Sequence, residues 1–268
     1  MIGVEFSKQI LRLRTYVLLG LMAGLPALLT IVFKIQGAPA HPRGPGQGFV
    51  DLATNSGANM ALASLGHAGP MILPIVVAIL AGSAIAEEAN WRTLGYLLLR
   101  PISRGRFLLS KLTVVVALVL VAALLISAAS VIAGLVAFGW RPVETPAGTT
   151  VSAEAALLRV VVATLYLAWG MAAVASVSFF VSVTANAPLS AVASGFGLVI
   201  VSQLLDSFSA MGGIRNLLPT HYWRAWEDLF ASPLSVGDMV GGIVLQAPYV
   251  VVFLALSWWW FRRKDILT

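Results

Sequence analysis

Cysteine is absent from the 268 residues, which excludes disulfides and thiolate-bound metals. Charge is scarce, with only 10% Asp, Glu, Lys and Arg. No GxxxxGK[ST] sequence occurs, so nucleotide cannot be held by a P-loop of this chain. No acidic residue falls in the middle of a long apolar run: Glu87 and Glu88 stand at the inner end of the second run and Asp206 at the outer end of the fifth. Ion-coupled carriers keep ionisable groups at depth, where the coupling ion binds, so an autonomous secondary transporter is disfavoured. The three histidines, His41, His67 and His221, are read as loop residues with no metal-ligand spacing between them, and no metal site is expected.

What is present is hydrocarbon-compatible. Hydrophobic residues make up 59% of the chain, and the mean hydropathy is +0.91. At about 20 residues per span the length accommodates roughly six helices with short connections. Apolar runs lie at Tyr16–Phe33, Pro70–Ala86, Phe107–Phe138, Ala155–Val183, Pro188–Leu205 and Val236–Phe261. Loop breakers separate them: Gly37–Gly48 and Arg141–Gly148 are rich in Gly and Pro, and Asn186–Ala187–Pro188 makes a tight return. The expected fold is all-α and polytopic, one transmembrane domain over residues 1–268. Ahead of the first run, Val4–Arg14 alternates apolar and charged residues and reads as a retained amphipathic helix on the membrane surface.

Basic residues set the orientation. Lys8, Arg12, Arg14, Arg92, Arg100, Arg104, Arg106, Lys111, Arg262, Arg263 and Lys264 fall on one side, eleven of the 17 Lys and Arg. The positive-inside bias predicts that both termini are cytoplasmic, and it accounts for the net charge of +6 without nucleic acid as a partner. Anionic membrane lipid is the expected electrostatic partner.

Polar residues inside the runs, such as Ser127, Ser176, Gln203 and Gln246, are expected to bond to neighbouring helices. Gly20–Gly24 and Gly237–Gly241 have the small-xxx-small spacing that permits close helix approach, within the bundle or against a second copy. Ser194, in Ala193–Ser194–Gly195, is the nearest approach to an intramembrane nucleophile. No histidine is placed to act as its base, so helix packing is its expected role and no catalytic residue is assigned. Ile214–Phe230 carries Tyr222, Trp223 and Trp226. It is expected to rest at the outer interface with its rings at headgroup level, or to re-enter the outer leaflet as a gate.

The segment Glu87–Lys111, EEANWRTLGYLLLRPISRGRFLLSK, is a charged amphipathic connection where a short turn would suffice. Leu94, Leu97 and Leu98 share one helical face suited to docking. Pro101 ends that helix, and Arg100 and Arg104 can pair with a partner's carboxylates or lipid phosphate. Acidic residues followed by Thr93–Leu94, a leucine run and Arg100–Pro101–Ile102–Ser103–Arg104 resemble the second-to-third-span loop of ABC-2-type permeases, the membrane subunits of ATP-binding cassette exporters. The surface helix, six spans and aromatic loop are similar to that family as well. The resemblance implies an assembly with two ATPase subunits and a second permease copy or related permease, in a bacterial cytoplasmic (inner) membrane. In that scheme ATP and Mg are bound wholly by the ATPase, and this chain is not itself an enzyme and carries no cofactor. Glu87, Glu88, Thr93, Leu94, Leu97, Leu98, Arg100, Pro101, Ser103 and Arg104 would form the coupling helix that drives alternating access. The alternative expectation is a non-transporting membrane anchor or sensor that recruits a cytoplasmic partner.

Overall fold

A computed structural model describes residues 2–37, 48–91 and 103–263. Six of its helices are long and apolar enough to cross a membrane, and almost no strand accompanies them, so the chain is an all-α, multi-pass membrane protein. The helices are α1 (Ile2–Ile10), α2 (Leu13–Gln36), α3 (Gly57–Asn90), α4 (Arg104–Phe138), α5 (Ala153–Gly170), α6 (Ala172–Thr184), α7 (Pro188–Ser207) and α8 (Gly237–Arg263). A hairpin of β1 (Val143–Glu144) and β2 (Thr150–Val151) follows α4, and two 3₁₀ segments, Ser209–Leu217 and Ala225–Phe230, lie between α7 and α8. The face carrying α1 and the end of α8 is termed proximal here, and the opposite face distal.

Length separates the helices into two groups. At 1.5 Å per residue, α3 and α4, with 34 and 35 residues, extend about 50 Å, whereas α7, with 20, extends about 30 Å. The hydrocarbon core is about 30 Å thick, so roughly 20 Å of α3 and α4 must project from it. The projecting part is distal. There Ser56 caps α3 by accepting from the Asn59 amide at 3.1 Å. The Asn59 side chain donates to the Glu144 carbonyl at 2.8 Å and accepts from the Glu144 amide at 3.2 Å, as a neighbouring strand would. Phe49, Leu62, Leu65, Val160, Trp226 and Phe230 fill this distal head.

The second core lies at membrane depth around α3, the most enclosed span, which packs on α2, α4, α6 and α7. Three close approaches permit this. A Cβ on Gly57 would stand 2.6 Å from the Leu135 amide nitrogen, and one on Gly134 would meet the Gly57 carbonyl at 2.7 Å. A Cβ on Gly82 would fall 2.8 Å from the Val192 amide nitrogen of α7. A Cβ on Gly195 would overlap the Ser178 hydroxyl of α6.

Several expectations are corrected. The second span begins at Gly57 rather than Pro70. His67 reads as a loop residue, but the helix runs through it because the distal head covers this stretch. The fourth span is kinked between Gly170 and Ala172. Its neighbour follows as expected: α6 and α7 are antiparallel and packed together across the tight return at 185–187. Gly20 and Gly24 face no atom of the described residues within reach of a Cβ, nor does Gly237, so among the described residues these glycines make no helix contact. Gly241 does, with Tyr222 at 3.5 Å, and Gly242 is closer still beneath Tyr166 and Tyr222.

Candidate functional site

Two polar assemblies interrupt the apolar bundle. The first is a charge cluster at the proximal face, built from α1, the start of α2, the end of α3 and the start of α4. Lys111 is 1% exposed, yet its ammonium donates to Glu88 Oε1 and to Glu5 Oε1, each at 2.5 Å. Lys8 adds a second cation to Glu88. One turn away, both oxygens of Glu87 are engaged by Arg12 and Arg14. Gln9 completes the cluster, accepting from Arg14 at 3.1 Å while its own carbonyl accepts from the Thr15 hydroxyl at 2.7 Å. Burial pulls the Arg12 guanidinium below its ordinary pKa, opposed by the nearby carboxylates of Glu88 and Glu5. Its charge also rests 5.3 Å from the Trp91 ring.

Three carboxylates against four cations leave the cluster close to neutral, the condition for placing so many charges out of water. Geometry explains why α1 lies there. Its spacing puts Phe6 and Ile10 against the membrane core while Lys8 reaches the end of α3 and Glu5 the start of α4. The surface helix is thus clamped to the two spans that flank the connection between Asn90 and Arg104.

The second assembly lies within the bundle, at the junction within the fourth span. At Met171 the helix only kinks, since its amide still donates to the Leu167 and Ala168 carbonyls at 3.2 and 3.3 Å, and backbone groups beside the kink take side-chain partners. Gln246 of α8, 2% exposed, accepts from the Ala173 amide at 3.2 Å and donates to the Pro219 carbonyl at 2.8 Å. Trp223 donates its indole N–H to the Gly170 carbonyl at 3.0 Å, and Tyr166 its hydroxyl to the Tyr222 carbonyl at 2.6 Å. Ser202 and Thr220 share a hydrogen bond of 2.6 Å. Counting helical rise from the proximal ends of α6 and α7, Gly170 and Ser202 both stand about 21 Å up. The 219–223 stretch therefore sits below the distal end of α7 by about 8 Å. Pro219, Thr220 and Trp223 are buried there, so the stretch is packed into protein.

The sequence-predicted residues divide accordingly. Glu87 and Glu88 belong to the proximal cluster and are engaged by the protein's own N-terminal segment rather than presented outward. Thr93, Leu94, Leu97, Leu98, Arg100 and Pro101 lie outside the described residues. Ser103 caps α4 through the Arg106 amide at 3.4 Å. Arg104 donates to the Phe261 and Arg262 carbonyls at 3.2 and 3.0 Å, closing the end of α8. Of the outer-gate candidates, Trp223 is 3% and Trp226 0% exposed. Their rings are wedged into protein, not laid at headgroup level, and Trp226 stacks on Phe49 at 5.8 Å. Ser194 donates to the Ala191 carbonyl of its own helix at 2.8 Å. Sequence reasoning missed Glu5 and Lys111 as partners; the signal was the run of charges in Val4–Arg14, which read as a membrane-surface face.

Beyond the node, the distal surface holds a polar cavity of about 360 Å³ lined by Asn216, His221, Tyr222, Arg224, Asp228 and Asp238. Desolvation, with the charge of Asp238 adding to it, pushes the Asp228 carboxyl above the usual aspartate range. Beside the cavity, Asp206 accepts from Arg215 at 3.0 Å and pairs with His221 Nδ1 at 2.6 Å.

Comparison with known proteins corrects the family expected from the loop motif. The family model that matches is described as protein of unknown function (DUF2705), and it covers residues 41–267. Among curated proteins, the uncharacterized protein YhcI of Bacillus subtilis (strain 168) is 27% identical over 209 residues, 70% of this chain and 63% of that protein. The chain thus spans less than two thirds of the length of that relative. Neither match is to an ABC-2-type permease, and the loop pattern at 87–104 does not carry that assignment.

Proposed function

From the premise that the chain belongs to the DUF2705 family, whose description assigns no activity, we propose that it is the membrane subunit of an ATP-driven exporter. The observation that carries this reading is the kinked fourth span, held to the packed 219–223 stretch by Gln246, Trp223 and Tyr166. A membrane anchor is served by straight helices. A kinked span braced by irregular chain within the bundle fits a protein that opens a path across the bilayer.

Energy comes from a separate ATPase, since this chain has no P-loop. The proximal face, by its basic excess, is cytoplasmic, and both termini lie there. In a bacterial cell this is the cytoplasmic membrane. The ATPase engages the connection between α3 and α4, through Leu94, Leu97 and Leu98. Because Glu88 and Lys111 tie α1 to both helix ends, and Glu87 ties α3 to the start of α2, force on the connection moves α1, α3 and α4 as one body. Displacement of α3 reaches α6 and α7 through the contact at Gly82 and the Ser182 hydroxyl, which accepts from the Ile85 and Ala86 amides at 3.0 and 2.9 Å. Motion there alternately opens the bundle to each side, with a second permease subunit completing the path.

The test is co-purification in mild detergent with the ATPase encoded beside this chain, followed by ATP-dependent cargo movement in vesicles. A complex that hydrolyses ATP and moves cargo supports the exporter. A complex that binds a soluble partner without transport makes the chain an anchor or sensor instead. Leu97→Asp should abolish association while membrane insertion is retained; unchanged association removes the docking face.

A further inference from the structure

Along one side of the bundle, α4 and α8 stand apart and leave a groove. Val250, Leu254, Trp258 and Arg262 recur every four residues and so form one stripe of α8. Leu109, Leu112, Val116 and Leu120 form the facing stripe of α4. At membrane depth the two stripes border an apolar trough of about 310 Å³, floored by Ala172 and Ser176 beside the kink in the fourth span. At the proximal end they border a second hollow of about 590 Å³, lined by Arg104, Gly105, Arg106, Leu109, Trp258 and Arg262. Gly105 is needed there, because a Cβ would overlap the Trp258 ring. Leu109 and Leu112, and Trp258 and Leu254, are one helical turn apart on their helices, so the two hollows follow one another along the same pair of helices, with the Trp258 ring against Gly105.

The groove is polarised end to end. Arg106 and Arg262 are exposed at its mouth. Arg104 covers the carbonyl end of α8, which removes the negative pole that would oppose an anion there. Trp258, Trp259 and Trp260 mark the membrane surface at this level. From Arg262 to Val250 the groove runs twelve residues, about 18 Å. One leaflet of hydrocarbon is about 15 Å deep. Leu109 is 53% and Val116 50% exposed, so the trough opens sideways to lipid.

We infer that the α4–α8 groove is a binding site for one anionic phospholipid of the proximal leaflet, its phosphate held by Arg106 and Arg262 and an acyl chain lying in the trough. A free anion would leave the trough empty, and an uncharged hydrophobe would leave the arginines without a counter-charge. Only a molecule with both parts, of one leaflet's length, matches both ends. The site stands apart from the exporter reading and holds whether or not an ATPase binds.

The test uses the full chain reconstituted in vesicles of phosphatidylcholine with or without phosphatidylglycerol, then extracted gently and weighed intact by mass spectrometry. The wild type should retain phosphatidylglycerol over phosphatidylcholine. Surface arginines each attract anionic lipid by about one kcal/mol, so R106Q/R262Q should lower that preference roughly thirtyfold. Val116→Trp, which fills the trough and leaves the arginines in place, should lose retention as well. Both variants change exposed positions, and an unchanged melting midpoint in pure phosphatidylcholine verifies their folding. Wild-type retention that merely follows bulk composition overturns the inference, as does undiminished retention by R106Q/R262Q. Full retention by Val116→Trp overturns the acyl-chain site, leaving a surface charge attraction only.

Discussion

Replacing Lys111 by Met removes one ammonium and keeps most of the side-chain volume. Lys111 sits between Glu88 and Glu5, both at 2.5 Å, with 1% of its side chain exposed. Removing one partner from a buried pair costs about 3–5 kcal/mol, because the remaining charge is left desolvated. Two features of the site shape the estimate. Lys8 still neutralises Glu88, but among the described residues Glu5 keeps the Gln9 amide, at 3.4 Å, and the more distant charge of Arg12. The expected loss is therefore near the lower end, about 3 kcal/mol. For a chain of this size each kcal/mol moves the melting midpoint by about 2–4 °C, so the drop should be about 6–12 °C. Thermal unfolding in detergent reads it directly. Thr113→Ala, on the exposed side of the same helix, is the control and should change stability by no more than about 0.5 kcal/mol. Pairing Lys111→Met with Glu5→Gln, which neutralises the stranded carboxylate, should recover part of the loss, a coupling on the order of 1–3 kcal/mol. A Lys111→Met midpoint indistinguishable from that of Thr113→Ala would refute the reasoning. The cluster would then be hydrated, and its pairs worth only what surface pairs are worth.

Gly82→Leu should lower the midpoint sharply and cost at least 1–3 kcal/mol, about the penalty of overpacking, because its Cβ would strike α7 backbone. Gly20→Ala, with open space around it, should be neutral or stabilise by about 0.5–1 kcal/mol in the same measurement. Gln246→Leu strands the Ala173 amide and the Pro219 carbonyl, at about 1–3 kcal/mol for each buried group left unpaired, and limited proteolysis should then cut within 208–233 faster than in the wild type. Asp228 has its pKa raised by desolvation and by Asp238, so the folded state disfavours its ionised form. That penalty is absent below the ordinary aspartate pKa, grows as pH rises through it, and is complete above the raised value. Asp228→Asn should therefore raise the midpoint at neutral pH and leave it unchanged in strong acid.

The six spans were legible because hydrocarbon imposes a long apolar requirement that a linear sequence displays openly. Where protein rather than lipid surrounds a helix, that requirement lapses, and Gly57–Gly69 was misread for this reason. The aromatic segment shows the opposite error. Trp223 and Trp226 fit an interfacial belt by composition, but their rings are claimed by Gly170, Phe49 and the distal head. Glycine spacing proved a poor guide on its own. Gly20–Gly24 has the packing pattern and no neighbour among the described residues, while Gly82 and Gly195, spaced four from Ala78 and Ala191, make the tight contacts. Of the proximal cluster, the charges were visible and the pairing was not, since Glu5 and Lys111 stand 106 residues apart.

The same separation sets an order of assembly. Chains emerge at about 5–20 residues per second, so Lys111 follows Glu5 by roughly 5–20 s. By then Glu5, Lys8 and Glu88 have all been made, and the ammonium meets waiting carboxylates as α4 enters the membrane. Trp226 and Gln246 are synthesised far later. The floor of the bundle is thus complete while its roof is still missing, and a chain halted before α8 would hold a finished proximal clamp beneath a fourth span whose Ala173 amide still lacks Gln246.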